Sequence, residues 1–395
     1  MTDIGKLAGV AKDYIIERRR WYHSHPELSF KEEKTTEAII SDLKALGITE
    51  ITPMTGGWYG CVGVIEGRKE GPTVLLRADI DALPVTEESG LPYASQNPGV
   101  MHACGHDTHI AMLLGAAKIL QSVRAELPGR VKLLFQPAEE FVSGAKEVIR
   151  QGFLDDVNAC YGVHINSVLP SGAFDFCEGE RMAAGDGLKI TVEGMSAHGS
   201  APHLGHDAIV AAGAIIGGVQ AVVSRFNNPL SPLVVTLGTI HGGQRANIIP
   251  QKVVMEGTVR YFDRNLMTKV IDEIKQVTEN MAAAYGCAGS VEYRHGVDPL
   301  SNTDKRLVEL ARGAVTKLFG KDKLIDLEKN TGGEDFSFYM DKVPGVFGNV
   351  GARSDAIPES ALSLHHEKFS PDEEALAKGA AVAAQFAVDY LAAGK

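Results

Sequence analysis

The sequence has no uninterrupted apolar run of about 18 residues, the length that a membrane-spanning helix needs. Residues 1–20 are mixed polar and lack both the basic start and the apolar run of a signal peptide. We therefore predict no membrane association and a cytoplasmic location. Repeats and low-complexity tracts are also missing, which excludes solenoid and fibrous classes.

The chain also has fewer basic than acidic residues, and it lacks closely spaced cysteine pairs. The chain has 39 Lys and Arg against 50 Asp and Glu, a net charge of −11. Such an acidic chain argues against nucleic acid or an anionic membrane as a partner. Its five cysteines are scattered without a CxxC pair, so no disulfide framework is expected. A cysteine with a special role should be a metal ligand or a nucleophile.

With 44% hydrophobic and 23% charged residues, the composition is that of an ordinary globular protein. The length of 395 residues is enough for about two domains. Buried strands are predicted over 72–79, 131–136 and 159–164, with helices at 107–123 and 144–151. This alternation predicts an α/β domain, with a mainly parallel sheet and helices on both faces. Sites in such sheets form at the carboxyl ends of the strands.

The pattern changes near residue 184, where alternating strands and two helices follow in the order βαββαβ. We predict a discontinuous catalytic domain, 1–184 and 296–395, with an inserted α+β domain at 185–295. Its helix at 207–225 is nearly uncharged and rich in Gly and Ala, so it should be buried or paired. We expect a homodimer through this domain, or a higher oligomer.

Two clusters carry candidate metal chemistry. In HACGHDTH, Cys104 and His106 flank a glycine, and thiolate and imidazole are good ligands for zinc and similar metals. Glu139 and Glu140 are adjacent and repel each other unless a cation or a proton is shared. One can ligate a metal while the other acts as a general base. The alternative for Cys104 and His106 is a purely structural turn. The alternative for Glu139 and Glu140 is a solvent-exposed helix start, where acidic residues are favoured by the helix dipole.

Two further histidines complete the set: His164 at the end of a predicted strand and His366 in a late loop. Taken alone, His164 could be a hydrogen-bonded core residue, and His366 could belong to an ordinary surface loop. Together with Cys104, His106 and Glu140 they make five ligands, more than one zinc ion takes. They match a two-metal site with one bridging group, which is suited to amide hydrolysis.

Eight ordered motifs resemble the aminoacylase/carboxypeptidase-type metallopeptidases, and more closely their hippurate hydrolase and indole-acetyl-amino-acid hydrolase branch. The similarity runs from about residue 23 to 369. The motifs are RADIDALPV (77–85), HACGHDTH (102–109), FQPAEE (135–140), GVH (162–164), GMSAHGSAP (194–202), ANIIP (246–250), GGEDFS (332–337) and LHHEKF (364–369). The resemblance implies two divalent metal ions in a catalytic domain, with an inserted lid that often mediates dimerisation.

Carried over by position, the resemblance makes Cys104 the bridging ligand and Glu139 the general base, with four other ligands: His106, Glu140, His164 and His366. Many branches have a ligand histidine where this chain has Arg77, and His106 would replace it. The resemblance leaves Asp79, Asp81 and Glu334 as residues that support the ligands from behind, with the role of Glu334 open.

In the lid, His198 resembles the histidine that stabilises the developing oxyanion. Asn247 and Arg260 match a pair that contacts the substrate carboxylate, a task for which Arg is well suited. A solvent-facing loop histidine and an ordinary sheet-surface charge are the alternatives for His198 and Arg260.

The prediction is a metal-dependent enzyme that hydrolyses N-acyl-L-amino acids, small molecules such as hippurate or N-acetyl amino acids. Three alternatives stay open: a dipeptidase or carboxypeptidase using the same site, a chelator-insensitive cysteine hydrolase using Cys104, and a non-catalytic metal-binding protein. Zn, Mn, Co and Ni all fit the ligands, with Zn or Mn favoured.

Overall fold

The computed structural model describes residues 2–394. Its nine helices in this range account for most of the predicted helical segments. They are α1 Ile4–Ser24, α2 Glu33–Ala45, α3 His106–Val123, α4 Gly144–Arg150, α5 Ala208–Ala221, α6 Arg264–Ala284, α7 Lys305–Phe319, α8 Ser337–Met340 and α9 Leu376–Ala393.

Fifteen strands lie within the same range, several of them only two to four residues long. They are β1 Glu50–Pro53, β2 Cys61–Glu66, β3 Lys69–Asp79, β4 Pro128–Gln136, β5 Ala159–Pro170, β6 Phe174–Asp175, β7 Gly179–Met182, β8 Ala184–Glu193, β9 Ala197–His198, β10 Leu233–Gly242, β11 Ile248–Ile249, β12 Lys252–Tyr261, β13 Ala288–Val297, β14 Leu300–Asn302 and β15 Gly345–Arg353.

The chain divides into two compact units. Unit 1 comprises Met1–Gly179, Ser301–Glu328 and Asp335–Lys395, and unit 2 comprises Glu180–Leu300 with Lys329–Glu334. The inserted domain predicted at 185–295 lies inside unit 2. Residues 329–334 join unit 2 through the pairing of its backbone, where Asn330 donates to the carbonyl of Arg181 and Ala183 donates to that of Gly332. The periodicity of the sequence did not indicate that residues 329–334 belong to unit 2.

Unit 1 is built on a seven-stranded sheet in the order β1-β2-β4-β3-β5-β15-β6. Its four central strands, β4, β3, β5 and β15, are parallel, and antiparallel strands flank them on both sides. Consecutive residues of β3 such as Val74, Leu75 and Leu76 are all buried, so both faces of the sheet are covered. This confirms the predicted α/β fold with a mostly parallel sheet.

Helices α1, α3 and α9 pack together and, with β3, enclose the main hydrophobic core of unit 1. Helix α3 is buried along nearly its whole length, since only three of its 18 residues, Lys118, Gln121 and Ser122, are not. A helix that is buried on nearly all sides in this way is stable only inside a core. Its first turn is therefore held firmly at the carboxyl ends of the parallel strands.

Unit 2 contains a four-stranded antiparallel sheet in the order β10-β12-β8-β13. Alternate residues of β8, namely Leu188, Ile190 and Val192, face a core that also contains residues of α5 and α6. The order βαββαβ agrees with the pattern read from the sequence. Both helices share one core with the sheet and contact each other, so they cover the same face of it.

Helix α5 and the π-helical turn after it are long and apolar enough, by length and composition alone, to cross a membrane over Ala208–Phe226. The prediction of no such helix counted only uninterrupted apolar runs, and polar residues interrupt this one. In the structure its residues Ala211, Ala212, Ile215 and Val219 belong to the core of unit 2. One face of the helix is therefore packed against the sheet, while Ile209, Val210 and Ile216 on the same helix stay exposed.

Candidate metal centre

The turn before α3 brings Cys104 and His106 to one place. Gly105, the residue between them, has φ +85°, and a Cβ there would lie 2.5 Å from the side chain of Ile165. Only glycine fits both demands. On the far side of the turn, the Asp107 carboxylate accepts a hydrogen bond of 2.8 Å from the buried Arg19 guanidinium, which anchors the helix start to α1.

Cys104, His106 and His164 each offer one ligand atom, and these three atoms lie within 4.8 Å of one another. The Cys104 Sγ is 3.4 Å from Nε2 of His164. The other ring nitrogen of His164, Nδ1, donates to the carbonyl of Ile165 at 2.7 Å. This bond fixes the tautomer and aims a lone pair at the cluster, as ligand histidines in metalloproteins require.

His106 is oriented in the same way by Asp81. Its Nδ1 donates to the Asp81 carbonyl at 2.9 Å, while its Nε2 lies 4.0 Å from Oε1 of Glu140. The Asp81 carboxylate also accepts bonds from the Ser29 hydroxyl at 2.7 Å and from the Glu140 amide at 3.1 Å. Asp81 therefore contacts two predicted ligand residues at once.

Asp79 makes different contacts. It accepts from Arg77 at 2.7 Å and from Nδ1 of His109, while Nε2 of His109 accepts from the Ile165 amide at 2.8 Å. Both nitrogens of His109 are thus engaged. Burial by itself raises the pKa of Asp79, but Arg77 and His106 outweigh it and hold that pKa well below its usual range.

The family resemblance implies a ligand histidine at the position of Arg77, and the structure shows why an arginine is tolerated in this buried strand. Its guanidinium also donates to Gln136 at 2.9 Å and to the Asp335 carboxylate at 3.0 Å. Asp335 further accepts from the Ala145 amide. Sequence reasoning missed Asp335, although a buried positive charge in a strand calls for a partner of this kind.

Glu139 and Glu140 lie in a tight loop between β4 and α4. The loop contains two non-glycine residues with positive φ, Ala138 at 49° and Val142 at 54°. The Ala138 amide donates to Oε1 of the buried Glu32 at 2.9 Å, and burial raises the pKa of Glu32 to about 7. Strained backbone of this kind persists only where its surroundings hold it, often at functional sites.

His365, not His366, lies at the cluster, which corrects the sequence prediction. Nε2 of His365 is 3.3 Å from the Cys104 Sγ and 3.5 Å from Oε1 of Glu140. The His365 backbone has φ +71°, and its amide donates to the Ala103 carbonyl, so its side chain turns toward Cys104. His366 instead accepts from the Lys368 amide through Nδ1 and lies 3.6 Å from Glu367.

The donor set suits divalent metal ions. One thiol, three imidazoles and a carboxylate converge: Cys104, His106, His164, His365 and Glu140. Two of their buried atoms, Nε2 of His106 and Oε1 of Glu140, have no hydrogen-bond partner in residues 2–394. Orphaned polar atoms are costly unless something binds them, and borderline metals prefer these donor types.

Electrostatics agree with this interpretation. Burial lowers the pKa of His164 to about 3, with a further contribution from His109, so the ring is neutral and able to donate a lone pair. Burial also raises the pKa of the Cys104 thiol well above its usual value. A thiolate at this position therefore needs a cation beside it.

The lid residues predicted from the sequence all lie in unit 2. Strands β9 and β11 pair His198 with Ile248, and the Gly199 amide donates to the carbonyl of Asn247, so His198 and Asn247 are neighbours. His198 is exposed, and its Nδ1 is 2.7 Å from the Ser200 hydroxyl.

Arg260 is half-buried beneath Gly185 and Gly333, where a Cβ would lie 2.4 and 3.4 Å from its guanidinium. Across the described residues 2–394, no carboxylate forms an ion pair with it. Glu334, next in the chain to Gly333, is buried. A half-buried guanidinium without an internal partner is suited to an anionic ligand.

The chain belongs to peptidase family M20/M25/M40, since residues 75–389 match that family. The family consists of hydrolases of amide and peptide bonds, so this chain is an enzyme. The predicted family resemblance is thereby confirmed.

Curated relatives carry several activities in their names. The chain is 43% identical to N-acetyl-L-cysteine deacetylase of Bacillus subtilis, covering 92% of this chain and 85% of the relative. It is 37% identical to thermostable carboxypeptidase 2 of Saccharolobus solfataricus, with 96% of each chain covered. It is 36% identical to IAA-amino acid hydrolase ILR1-like 2 of Arabidopsis thaliana, covering 96% of this chain and 85% of the relative.

Among solved structures, the fold is similar to the YXEP protein of Bacillus subtilis, described as a dinuclear metal binding peptidase from the M20 family. The TM-score is 0.86 at 36% identity, covering 97% of this chain and 99% of that one.

Proposed function

We propose that this enzyme hydrolyses the amide bond of N-acyl-L-amino acids, such as hippurate-like or N-acetyl substrates, and releases a carboxylic acid and a free amino acid. The observation that carries the proposal is the buried Glu139 beside Glu140, at a cluster of one thiol and three imidazoles. Relatives named as deacetylases and amino acid hydrolases support it.

Five residues would hold two divalent ions: Cys104 as the shared ligand, with His106, Glu140, His164 and His365. When bound, such ions polarise the substrate carbonyl and acidify a water molecule. Glu139 accepts the proton of the attacking water and delivers it to the leaving nitrogen. Asp81 holds His106 and the Glu140 backbone in place throughout.

We assign the lid residues the roles that the family resemblance implies. His198 donates a hydrogen bond to the developing oxyanion, and Arg260 with Asn247 binds the free carboxylate of the substrate. The unpaired, half-buried guanidinium of Arg260 supports this assignment.

A carboxypeptidase or dipeptidase using the same centre is the second candidate, favoured by the similarity to a thermostable carboxypeptidase. It differs only in the group that precedes the scissile amide. A cysteine hydrolase is disfavoured, because burial raises the pKa of the Cys104 thiol and lowers that of His164, so the thiolate and its base are both weakened.

The proposal predicts amino-acid release that depends on metal. We would measure release from N-benzoylglycine, N-acetyl amino acids and dipeptides with enzyme as purified, after chelation, and after addition of Zn or Mn. We expect chelation to abolish release, and the added metal to restore it, because the centre loses the cations that its thiol and imidazoles bind.

Restored release from acyl amino acids would establish the proposed reaction, and release from dipeptides alone would establish the second candidate. Full activity in enzyme shown to be free of metal would overturn both and revive Cys104 as a nucleophile.

We further propose that unit 2 joins two copies of the chain. Helix α5 buries one face and exposes Ile209, Val210 and Ile216 to between 36% and 50%. Its Gly213 and Gly217 have open space where a Cβ would stand, so another backbone can approach closely. Contiguous apolar surface of this kind marks an interface, and a second copy of the same helix matches it in shape and polarity.

We expect Val210→Asp to convert a dimer into a monomer of 42.2 kDa in light scattering, because the aspartate would be buried unpaired at the interface. Val10→Asp, on the 74% exposed position of α1, is the matched control and should leave the mass at twice that value. A monomeric wild-type enzyme would refute this arrangement.

A further inference from the structure

Three aromatic side chains from separate segments of unit 1 form one cluster. The ring of Phe30 lies 5.3 Å from that of Trp58 and 5.3 Å from that of Phe141, measured between centroids. Both pairs are close to edge-to-face, with interplanar angles of 65° and 62°. This arrangement leaves ring edges and faces available to a further aromatic group.

The cluster is exposed, although aromatic rings usually lie in the core. Phe141 is 65% and Phe30 is 39% exposed, and Trp58 is half-buried. Phe30 also has φ +66°, a conformation that bulky residues rarely adopt. Exposed apolar surface on strained backbone is costly, and such costs are typically retained where they serve a function.

Short connections tie the cluster to the metal centre. Phe141 directly follows Glu140, so their Cα atoms are about 3.8 Å apart. Phe30 directly follows Ser29, whose hydroxyl donates to the Asp81 carboxylate that also accepts from the Glu140 amide. The backbone positions of Phe30 and Phe141 are therefore fixed next to residues of the metal centre.

We propose that Phe30, Trp58 and Phe141 form the subsite for the acyl group of the substrate, and that the preferred acyl group is aromatic. This inference rests on the proposed function. The acyl group is bonded to the carbonyl carbon under attack, so it must lie within a few ångströms of Glu139 and the ligands. The cluster begins one residue from Glu140 and has the apolar, aromatic character that an aryl group requires.

A protein partner is a poorer occupant. Three aromatic side chains expose at most about 150–250 Å² each when fully accessible, and these are partly covered. A stable protein interface buries about 800 Å² per partner. The cluster is the size of a small-molecule subsite.

The test is a ratio of two substrates. We would measure kcat/KM for N-benzoylglycine and N-acetylglycine in wild type, Phe141→Ala and Phe141→Leu. We expect Phe141→Ala to lower the benzoyl-to-acetyl ratio by about tenfold, as removal of one aromatic contact would. Leucine, which keeps apolar bulk, should recover part of the loss. Val10→Ala, an exposed apolar residue on α1, should keep the wild-type ratio.

An unchanged ratio, or equal losses on both substrates, would overturn the subsite and indicate that Phe141 only supports the loop. The affinities of the metal-loaded enzyme for benzoate and acetate, measured by calorimetry, provide a second test that does not depend on turnover. If wild type hydrolyses no acyl amino acid, the proposed function fails. Weaker benzoate binding in Phe141→Ala would still support an aryl subsite, and equal binding would refute it.

Discussion

Replacing Glu139 by glutamine should lower kcat by about 10²–10⁴-fold, the range expected when a general base is lost. Glutamine has nearly the same shape but cannot accept the proton of the attacking water. Glu139 is buried in the loop after β4, next to the proposed metal ligand Glu140, so the change should leave metal content unaltered. Steady-state kinetics together with metal analysis of the purified variant would check both parts.

Glu140→Gln is the matched comparison, because it changes the neighbouring residue in the same way. That variant should lose bound metal, since its Oε1 is the buried, unpartnered atom facing His106. Equal turnover in wild type and Glu139→Gln would remove Glu139 as the base. Loss of metal from Glu139→Gln would instead make it a ligand.

The second large effect separates two adjacent histidines. His365→Ala should lose at least one metal ion and reduce kcat/KM by about 100-fold or more, because Nε2 of His365 is 3.3 Å from the Cys104 Sγ. His366→Ala should stay close to wild type, since among residues 2–394 the His366 ring bonds only to Glu367 and Lys368 of its own loop. Metal analysis and kinetics on both variants decide the matter.

The opposite result, with His366→Ala losing metal and His365→Ala retaining it, would reinstate the sequence assignment. A melting temperature for each variant separates loss of metal from loss of fold. His365 is about half exposed, so its removal creates no core cavity.

The sequence analysis placed the ligand at His366, and no local pattern separates the two adjacent histidines. In a regular strand, consecutive side chains point to opposite faces, but the loop at 364–369 has no such regularity. The choice depends on the positive φ of His365 and on its amide bond to Ala103, which lies 262 residues earlier in the chain. A long-range hydrogen bond of this kind leaves no trace in local composition.

The buried residues that support the metal centre could not be predicted from the sequence either. Arg77 was recognisable as a departure from the family pattern, but its charge is balanced by Asp79 and Asp335, the latter 258 residues away. Glu32, which holds the loop of the paired glutamates through the Ala138 amide, carries no motif of its own. These residues matter through contacts made only after folding.

What the sequence determined by itself was the chemistry and the architecture. Apolar runs with periods of about two and 3.6 residues specify the strands and helices, and β/α alternation brings strand ends carrying Asp79 and the paired glutamates to one edge. Ordered motifs identified the family. The tertiary structure decided which of His365 and His366 faces the cluster, which charges compensate each other, and where aromatic rings meet, because these depend on backbone torsions and distant contacts.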